Sequence, residues 1–257
     1  MNSLNITASS LGVDKIFDVH SHIGATPYLR QDIKNLLEEM DASEVEKSAI
    51  CPMGAHIVCR NAEGNDFIGS IVAAHPDRFV GFATVNPWFE DDAIRELQRS
   101  VAKWNLSGLK LHPPMQGFQA NDKIVFPVIE EAIRLGLPIY IHSGTPVSSL
   151  PLQILELARR YPEGSFILGH LGGGDFFLDV PLAFPAVDNV YVETSLTCHP
   201  VFVLQAIESL GSHRVLFGSD SPNSEINTEL EKIRGLGLDR ETLNQVLWRN
   251  AETLLVI

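Results

Sequence analysis

Apolar runs and amphipathic stretches alternate along this 257-residue chain. The first run, "KIFDVHSHIG" (Lys15 to Gly24), is followed by "KSAICPM" (47–53), "FVGFATV" (79–85), "SGLKLH" (107–112) and "LPIYIHS" (137–143). Then come "SFILGH" (165–170), "NVYVET" (189–194) and "RVLFGSD" (214–220). Runs this short and this continuously apolar read as parallel strands buried on both faces. Between them the period lengthens. "DDAIRELQRSVAKW" places Ile94, Leu97, Val101 and Trp104 at helical spacing behind Asp91 and Asp92, which suit a helix N-terminus. "IVFPVIEEAIRLG" repeats the pattern with Val128, Ile129, Ala132 and Ile133 and stops at Gly136. The last segment, "DRETLNQVLWRNAETLL", opens on a capping Asp239 and carries Leu243, Val246, Leu247, Ala251 and Leu254. Eight βα units in about 250 residues predict a closed (β/α)8 TIM barrel with an extra C-terminal helix. One domain is expected over 1–257. Neither GxGxxG nor GxxxxGK[ST] stands at a strand–helix junction, which argues against a doubly wound nucleotide-binding sheet.

A barrel keeps its chemistry at the C-terminal ends of its strands. His20 and His22 end the first predicted strand, Lys110 and His112 the fourth, His142 the fifth, His170 the sixth and Asp220 the eighth. His213 precedes its strand and belongs to the opposite rim, and His75 reads as a helix C-terminal residue. Asp18, His20 and His22 alternate, so a regular strand points all three one way, with the two histidine Cα atoms roughly 6–7 Å apart. Taken singly, each strand-end histidine reads as a hydrogen-bonded structural residue. Four imidazoles and a carboxylate at one rim are costly to bury without a task, and a divalent cation supplies one. Nitrogen and oxygen donors suit Zn2+, and Mn2+, Fe2+ and Co2+ accept the same set.

A formal net charge of −13 excludes the basic footprint that nucleic acid or an anionic membrane requires. A small-molecule substrate remains. Cys51, Cys59 and Cys198 show no CxxC spacing, so neither a disulfide framework nor a thiolate zinc site is signalled. The opening "MNSLNITASSLG" lacks the basic and apolar regions of a signal peptide, and no apolar run approaches the ~20 residues of a membrane span. Cytoplasmic localisation is the expectation.

"DVHSHIG", "AHPDRFVGFATVNP", "GLKLHPP", "IHSG", "GHLGG", "FGSDSP" and "RNAETLL" occur in that order, each at its strand or helix. Together they resemble the amidohydrolase superfamily, in its amidohydrolase-2 branch of TIM-barrel hydrolases and decarboxylases, related to aminocarboxymuconate-semialdehyde decarboxylase. The resemblance runs across essentially the whole chain. It implies that His20, His22, His142 and Asp220 hold one metal ion and that His170 orients or deprotonates a bound water, with Asp220 relaying the proton. Asp18 is either a partner for a ligand histidine N–H or a buried carboxylate satisfied by backbone. Binuclear members of the superfamily carry a carboxylated lysine on the fourth strand. Lys110 therefore has two readings, a bridge to a second metal or an unmodified cation that binds a substrate carboxylate.

Around the mouth, His112, Arg30, Arg60 and Trp88 are substrate-binding candidates, with Phe89 as a further wall residue. Cys198 has no basic partner in sequence and reads as inert. The resemblance implies hydrolysis of a small amide, ester or lactone. The alternative is non-hydrolytic decarboxylation of an aromatic or unsaturated carboxylic acid. Decarboxylases of the branch tend to carry extra loops, and this near-minimal barrel therefore points to hydrolysis. A non-catalytic binding barrel is a third reading, disfavoured because no ligand is lost. Short loops leave the mouth open, where the second protomer of a homodimer would fit.

Overall fold

A computed structural model describes residues 5–255, so Met1 to Leu4 and the last two residues of the expected domain lie outside the description. Eight parallel strands are seen among the described residues: β1 (Phe17–Ala25), β2 (Lys47–Pro52), β3 (Phe79–Thr84), β4 (Gly108–Leu111), β5 (Ile139–Ile141), β6 (Phe166–Leu168), β7 (Val190–Glu193) and β8 (Val215–Leu216). They pair in sequence order. The last strand returns to the first through Val19 N to Phe217 O (3.0 Å), Asp220 N to His20 O (2.7 Å) and His22 N to Ser221 O (2.7 Å), which closes the barrel. A two-residue strand, Arg30–Gln31, folds back antiparallel on Gly24 and Ala25. No described helix is long and apolar enough to cross a membrane.

Helices follow the strands as the apolar periodicity predicts. They are α1 (Ile33–Ala42), α2 (Asn61–Ala74), α3 (Glu90–Trp104), α4 (Phe126–Arg134), α5 (Pro151–Arg160), α6 (Asp179–Ala183), α7 (Val201–Leu210) and α8 (Ile226–Gly235). Asp32 caps α1 by accepting from Asn35 N (3.0 Å), and Asp239 caps the final helical segment by accepting from Thr242 N (2.8 Å). That segment runs Arg240–Asn244, through a π-turn at Gln245–Arg249, to Asn250–Leu254.

The barrel interior is filled by Phe17, Val19, Phe82, Tyr140, Ile167 and Leu216, and Trp248 and Leu255 of the C-terminal segment seal its lower end. Asn250 fastens that seal by donating to the carbonyls of Ser212 and Val215, both at 2.7 Å. A larger apolar layer lies between the sheet and the helices. With its lower end plugged, the barrel is open to substrate at the upper rim, where the strand-end polar residues gather.

β1 is not regular. Phe17 and Asp18 pair with Lys47 and Ser48, but Ser21 pairs with Ile50, so β1 carries one extra residue between Asp18 and Ser21. A bulge of this kind bends the strand and re-aims a side chain.

Candidate metal centre

His20 and His22 turn their Nε2 atoms toward one another at 3.1 Å. Asp220 Oδ1 lies 3.4 Å from the first and 3.0 Å from the second. Ligand atoms held 2.0–2.2 Å from one ion stand about 3–3.4 Å apart, so these three have the spacing of neighbouring ligands around a common point. All three residues are buried. Two ring nitrogens and a carboxylate oxygen are a donor set that first-row divalent ions accept, so the residues present fit a metal. Asp220 and His170 both have left-handed backbone, at φ +59° and +61°, where the chain turns sharply off the strand ends. Such conformations are uncommon outside glycine and cluster at functional sites.

Behind this triangle lies a hydrogen-bonded wall. Tyr140 OH donates to Glu193 Oε2 (2.6 Å) and meets His20 Nδ1 at 2.7 Å. Ser195 Oγ donates to the same Glu193 oxygen (2.9 Å) and meets His170 Nδ1 at 2.9 Å. His170 Nε2 faces His142 Nδ1 at 3.0 Å, and His142 Nε2 faces Thr145 Oγ1 at 3.0 Å. Lys110 Nζ meets His20 Nε2 at 2.8 Å and sits 3.7 Å above the Tyr140 ring. His112 stacks on His142 with ring centroids 4.0 Å apart.

Burial pulls His20, His112, His142 and His170 below the ordinary imidazole value, so they are neutral and able to offer lone pairs. Burial also lowers Lys110, against the pull of Cys51, Asp220 and Glu193. Asp220 is pushed up by burial, but His20, His22 and His170 outweigh this and hold its carboxyl well below the usual range. His22 is pulled down by burial and raised more strongly by Cys51 and Asp220 beside it.

The family model described as Amidohydrolase matches residues 17–257. The chain belongs to the amidohydrolase family. It is 24% identical over a 245-residue alignment to the gamma-resorcylate decarboxylase of a Polaromonas species, covering 74% of each chain. The Rhodococcus jostii gamma-resorcylate decarboxylase is 25% identical over 248 residues, again with 74% of each chain. In fold, this amidohydrolase matches the 5-carboxyvanillate decarboxylase of Novosphingobium aromaticivorans, solved with manganese and 4-hydroxy-3-methoxy-5-nitrobenzoic acid. The TM-score is 0.78 at 14% identity, with 100% of each chain covered.

These findings correct one expectation. Hydrolysis of an amide, ester or lactone does not stand, because the relatives that match most of the chain are decarboxylases. Loop length misled: a decarboxylase covers this amidohydrolase end to end, so a compact barrel does not separate the two chemistries.

The remaining candidates are spread over the rim and its flanks. Asp18 accepts from Ser219 N (2.8 Å), Ser219 Oγ (2.6 Å), Ser21 Oγ (2.7 Å) and His20 N (3.0 Å), and meets no histidine ring. Burial pushes its carboxyl up to about 7 against those four donors. His112 and His22 help line a cavity of ≈140 Å³ at the mouth, with Leu29, Met53, Ile57 and Met115. Arg30 is exposed and lines a different hollow, beside Ile33, Phe67 and Ile71. Arg60 is exposed, 3.9 Å from Glu63. Trp88 is 55% exposed and donates from its indole to Gly117 O (3.0 Å). Cys198 is exposed.

Tyr140, Glu193 and Ser195 escape a reading of strand-end histidines. Tyr140 shares a strand face with His142 two residues on. Glu193 is the acidic break in the apolar run "NVYVET". Those two features are the signals that the sequence offers.

Proposed function

We propose that this amidohydrolase is a metal-dependent decarboxylase of a small aromatic or unsaturated carboxylic acid. The observation that carries the reading is the match over most of the chain to gamma-resorcylate decarboxylases, in a chain whose His20, His22 and Asp220 donor atoms converge. The mouth cavity of ≈140 Å³ supports a single-ring substrate, since an apolar cavity of about 150 Å³ takes up benzene.

In this reading His20, His22 and Asp220 would hold one divalent ion, joined by His142. When bound, such an ion supplies a fixed positive charge for substrate oxygens. Manganese is the first ion to test, ahead of the zinc that the donor types suggest, because the decarboxylase of matching fold was solved with manganese. The Lys110 amine bonds directly to His20, which supports an unmodified lysine and a single ion over a carboxylated bridge. Lys110 then meets the substrate carboxylate as a point charge.

Asp220 engages His20, His22 and Asn223 through Oδ1, and its Oδ2 would pass a proton drawn from solvent to the carbon that bears the carboxylate without holding it at rest. His170 holds His142 in place beside it. As the C–C bond breaks, its electron pair stays on the protonated carbon and CO2 departs. No water is consumed. His112, together with the outlying Arg30, Arg60 and Trp88, contributes to substrate choice in this proposal. Exposed Tyr28, Trp88, Phe89 and Met115 on the loops after β1, β3 and β4 support a second protomer covering the mouth.

The test is isotopic. The Mn2+-loaded protein is offered gamma-resorcylate and 5-carboxyvanillate in D2O. CO2 release with one deuterium at the former carboxyl position is the expected result. Solvent oxygen entering the product, or no CO2 from either acid by a protein that has bound manganese, would overturn the reading.

A further inference from the structure

Glu193 lies outside the ligand triangle, yet its carboxylate is fully buried and two hydrogen-bonded chains end on it. Oε1 accepts from Ser195 N–H. Oε2 accepts from His170 N–H (3.1 Å), Tyr140 OH and Ser195 Oγ. The two backbone donors cannot be reversed. Both oxygens of Glu193 therefore act as acceptors in these four contacts.

The polarity of both chains then follows. The single hydroxyl proton of Tyr140 goes to Glu193, so the phenolic oxygen can only accept from His20. His20 Nδ1 therefore carries the ring proton, and Nε2 keeps its lone pair. The Lys110 amine lies 2.8 Å from that same Nε2. Ser195 likewise gives its proton to Glu193 and accepts from His170 Nδ1–H. His170 Nε2 is left as an acceptor and takes the Nδ1 proton of His142 at 3.0 Å. The His142 Nε2 lone pair remains, met by the Thr145 hydroxyl. His22 stands outside the relay, its Nδ1 lying 3.2 Å from both the Pro52 carbonyl and Cys51 Sγ.

We infer that Glu193 is the positioning residue that fixes the ring tautomers of His20, His170 and His142 through Tyr140 and Ser195. It thereby presents the Nε2 lone pair of His20 to the metal centre and sets which nitrogen of His142 carries its proton. The inference rests on the metal-centre reading above for its purpose, but not for its geometry. Two glycines make room for the relay. A Cβ on Gly169 would fall 2.5 Å from the Tyr140 hydroxyl, and one on Gly218 would fall 2.2 Å from Glu193 Oε1. Partners that fix a ligand histidine's tautomer typically change metal affinity 10–100-fold when removed.

The experiment reads the tautomers directly. Full-length protein labelled with 15N-histidine is studied without added metal, using long-range proton–nitrogen correlations assigned by single histidine substitutions. His20, His142 and His170 are each expected as a single Nδ1–H tautomer. Tyr140→Phe combined with Lys110→Met, which clears the 2.8 Å contact at Nε2, should release His20 alone, and Ser195→Ala should release His170 and His142 while leaving His20 unchanged. Glu193→Ala should release His170 and His142, and His20 as well in the Lys110→Met background. The two single-arm variants keep the test decisive if Glu193→Ala does not fold. A wild-type His20 or His170 protonated at Nε2, or unchanged tautomers in both single-arm variants, would overturn the inference. A second arm measures Mn2+ dissociation constants, expected to rise about 10–100-fold in Tyr140→Phe. Equal constants there would overturn the link from relay to metal. A wild type that binds no Mn2+ would sink the metal-centre reading, while the tautomer spectra would still decide the relay.

Discussion

Replacing Gly218 with alanine is expected to unseat Glu193 without altering any proposed ligand atom. The new Cβ would lie 2.2 Å from Glu193 Oε1, 2.6 Å from Cδ and 2.9 Å from Cγ. Glu193 cannot retreat freely, because its two oxygens are held by four donors and the side chain is fully buried. Overpacking of this kind costs about 1–3 kcal/mol, and displacing one hydrogen bond to the charged carboxylate adds about 1.5–3 kcal/mol. A total near 3–5 kcal/mol corresponds to a melting point lower by roughly 6–20 °C for a chain of this size. The assay pairs thermal and urea unfolding with Mn2+ titration, and Gly235→Ala is the control. Gly235 ends α8 with no heavy atom within 4 Å of a Cβ, so alanine there should raise stability by about 0.4–1 kcal/mol. In a Glu193→Ala background the clash has no partner, and Gly218→Ala should cost under about 1 kcal/mol, a coupling of roughly 2 kcal/mol or more. A Gly218→Ala protein that melts within about a degree of wild type, with the same Mn2+ affinity, would refute the reasoning.

Three further outcomes follow from the same geometry. Asp220→Asn removes the anionic oxygen shared by His20 and His22, and bound manganese, read by elemental analysis, should fall from about one ion per chain to near zero. Lys110→Met should keep that ion but raise KM for the carboxylate substrate about tenfold or more, the worth of a hydrogen bond to a charged group; lost metal instead would favour a bridging lysine. On the outer layer, Asp66 is lowered from 3.8 to about 2 chiefly by the Trp104 indole N–H, with Arg99 and Lys103 adding to it. Its folded-state value lies below the unfolded one, so its contribution is present above about pH 4 and is lost as the pH falls through about 2. Because its side chain is 42% exposed, the wild-type advantage over Asp66→Asn in urea unfolding should be under about 1 kcal/mol near pH 5 and should shrink toward pH 2.

What could be read from the chain was what repeats locally. Strand-length apolar runs located all eight strands, since parallel strands buried on both faces leave little freedom in composition, and helical spacing located α3, α4 and the C-terminal segment. The capping Asp239 and the long α3 were legible for the same reason: their signals lie within a few residues of the element. Alternation in "DVHSHIG" anticipated that His20 and His22 face one point, and their Nε2 atoms do approach to 3.1 Å. It could not anticipate the bulge between Asp18 and Ser21, because a bulge depends on the partner strand. Asp18 is thereby engaged with Ser21 and Ser219 rather than with an imidazole.

The relay was illegible for a deeper reason. Apart from Glu193 and Ser195, two residues apart, its contacts join residues far apart in sequence, with His20 and Tyr140 separated by 120 positions and Tyr140 and Glu193 by 53. Residue type predicts that a histidine can bind a metal, but not which nitrogen offers the lone pair. That choice is made by whatever the other nitrogen meets, and here it meets a tyrosine and a serine whose own protons are committed to one carboxylate. The same distinction bears on chemistry. A neutral imidazole and a carboxylate at a barrel rim suit hydrolysis and decarboxylation alike, so the ligand pattern could not separate them. What can separate them is where protons are held. In the proposed decarboxylase the histidine protons face the Glu193 wall, and a solvent proton would pass through Asp220 Oδ2 to the substrate carbon.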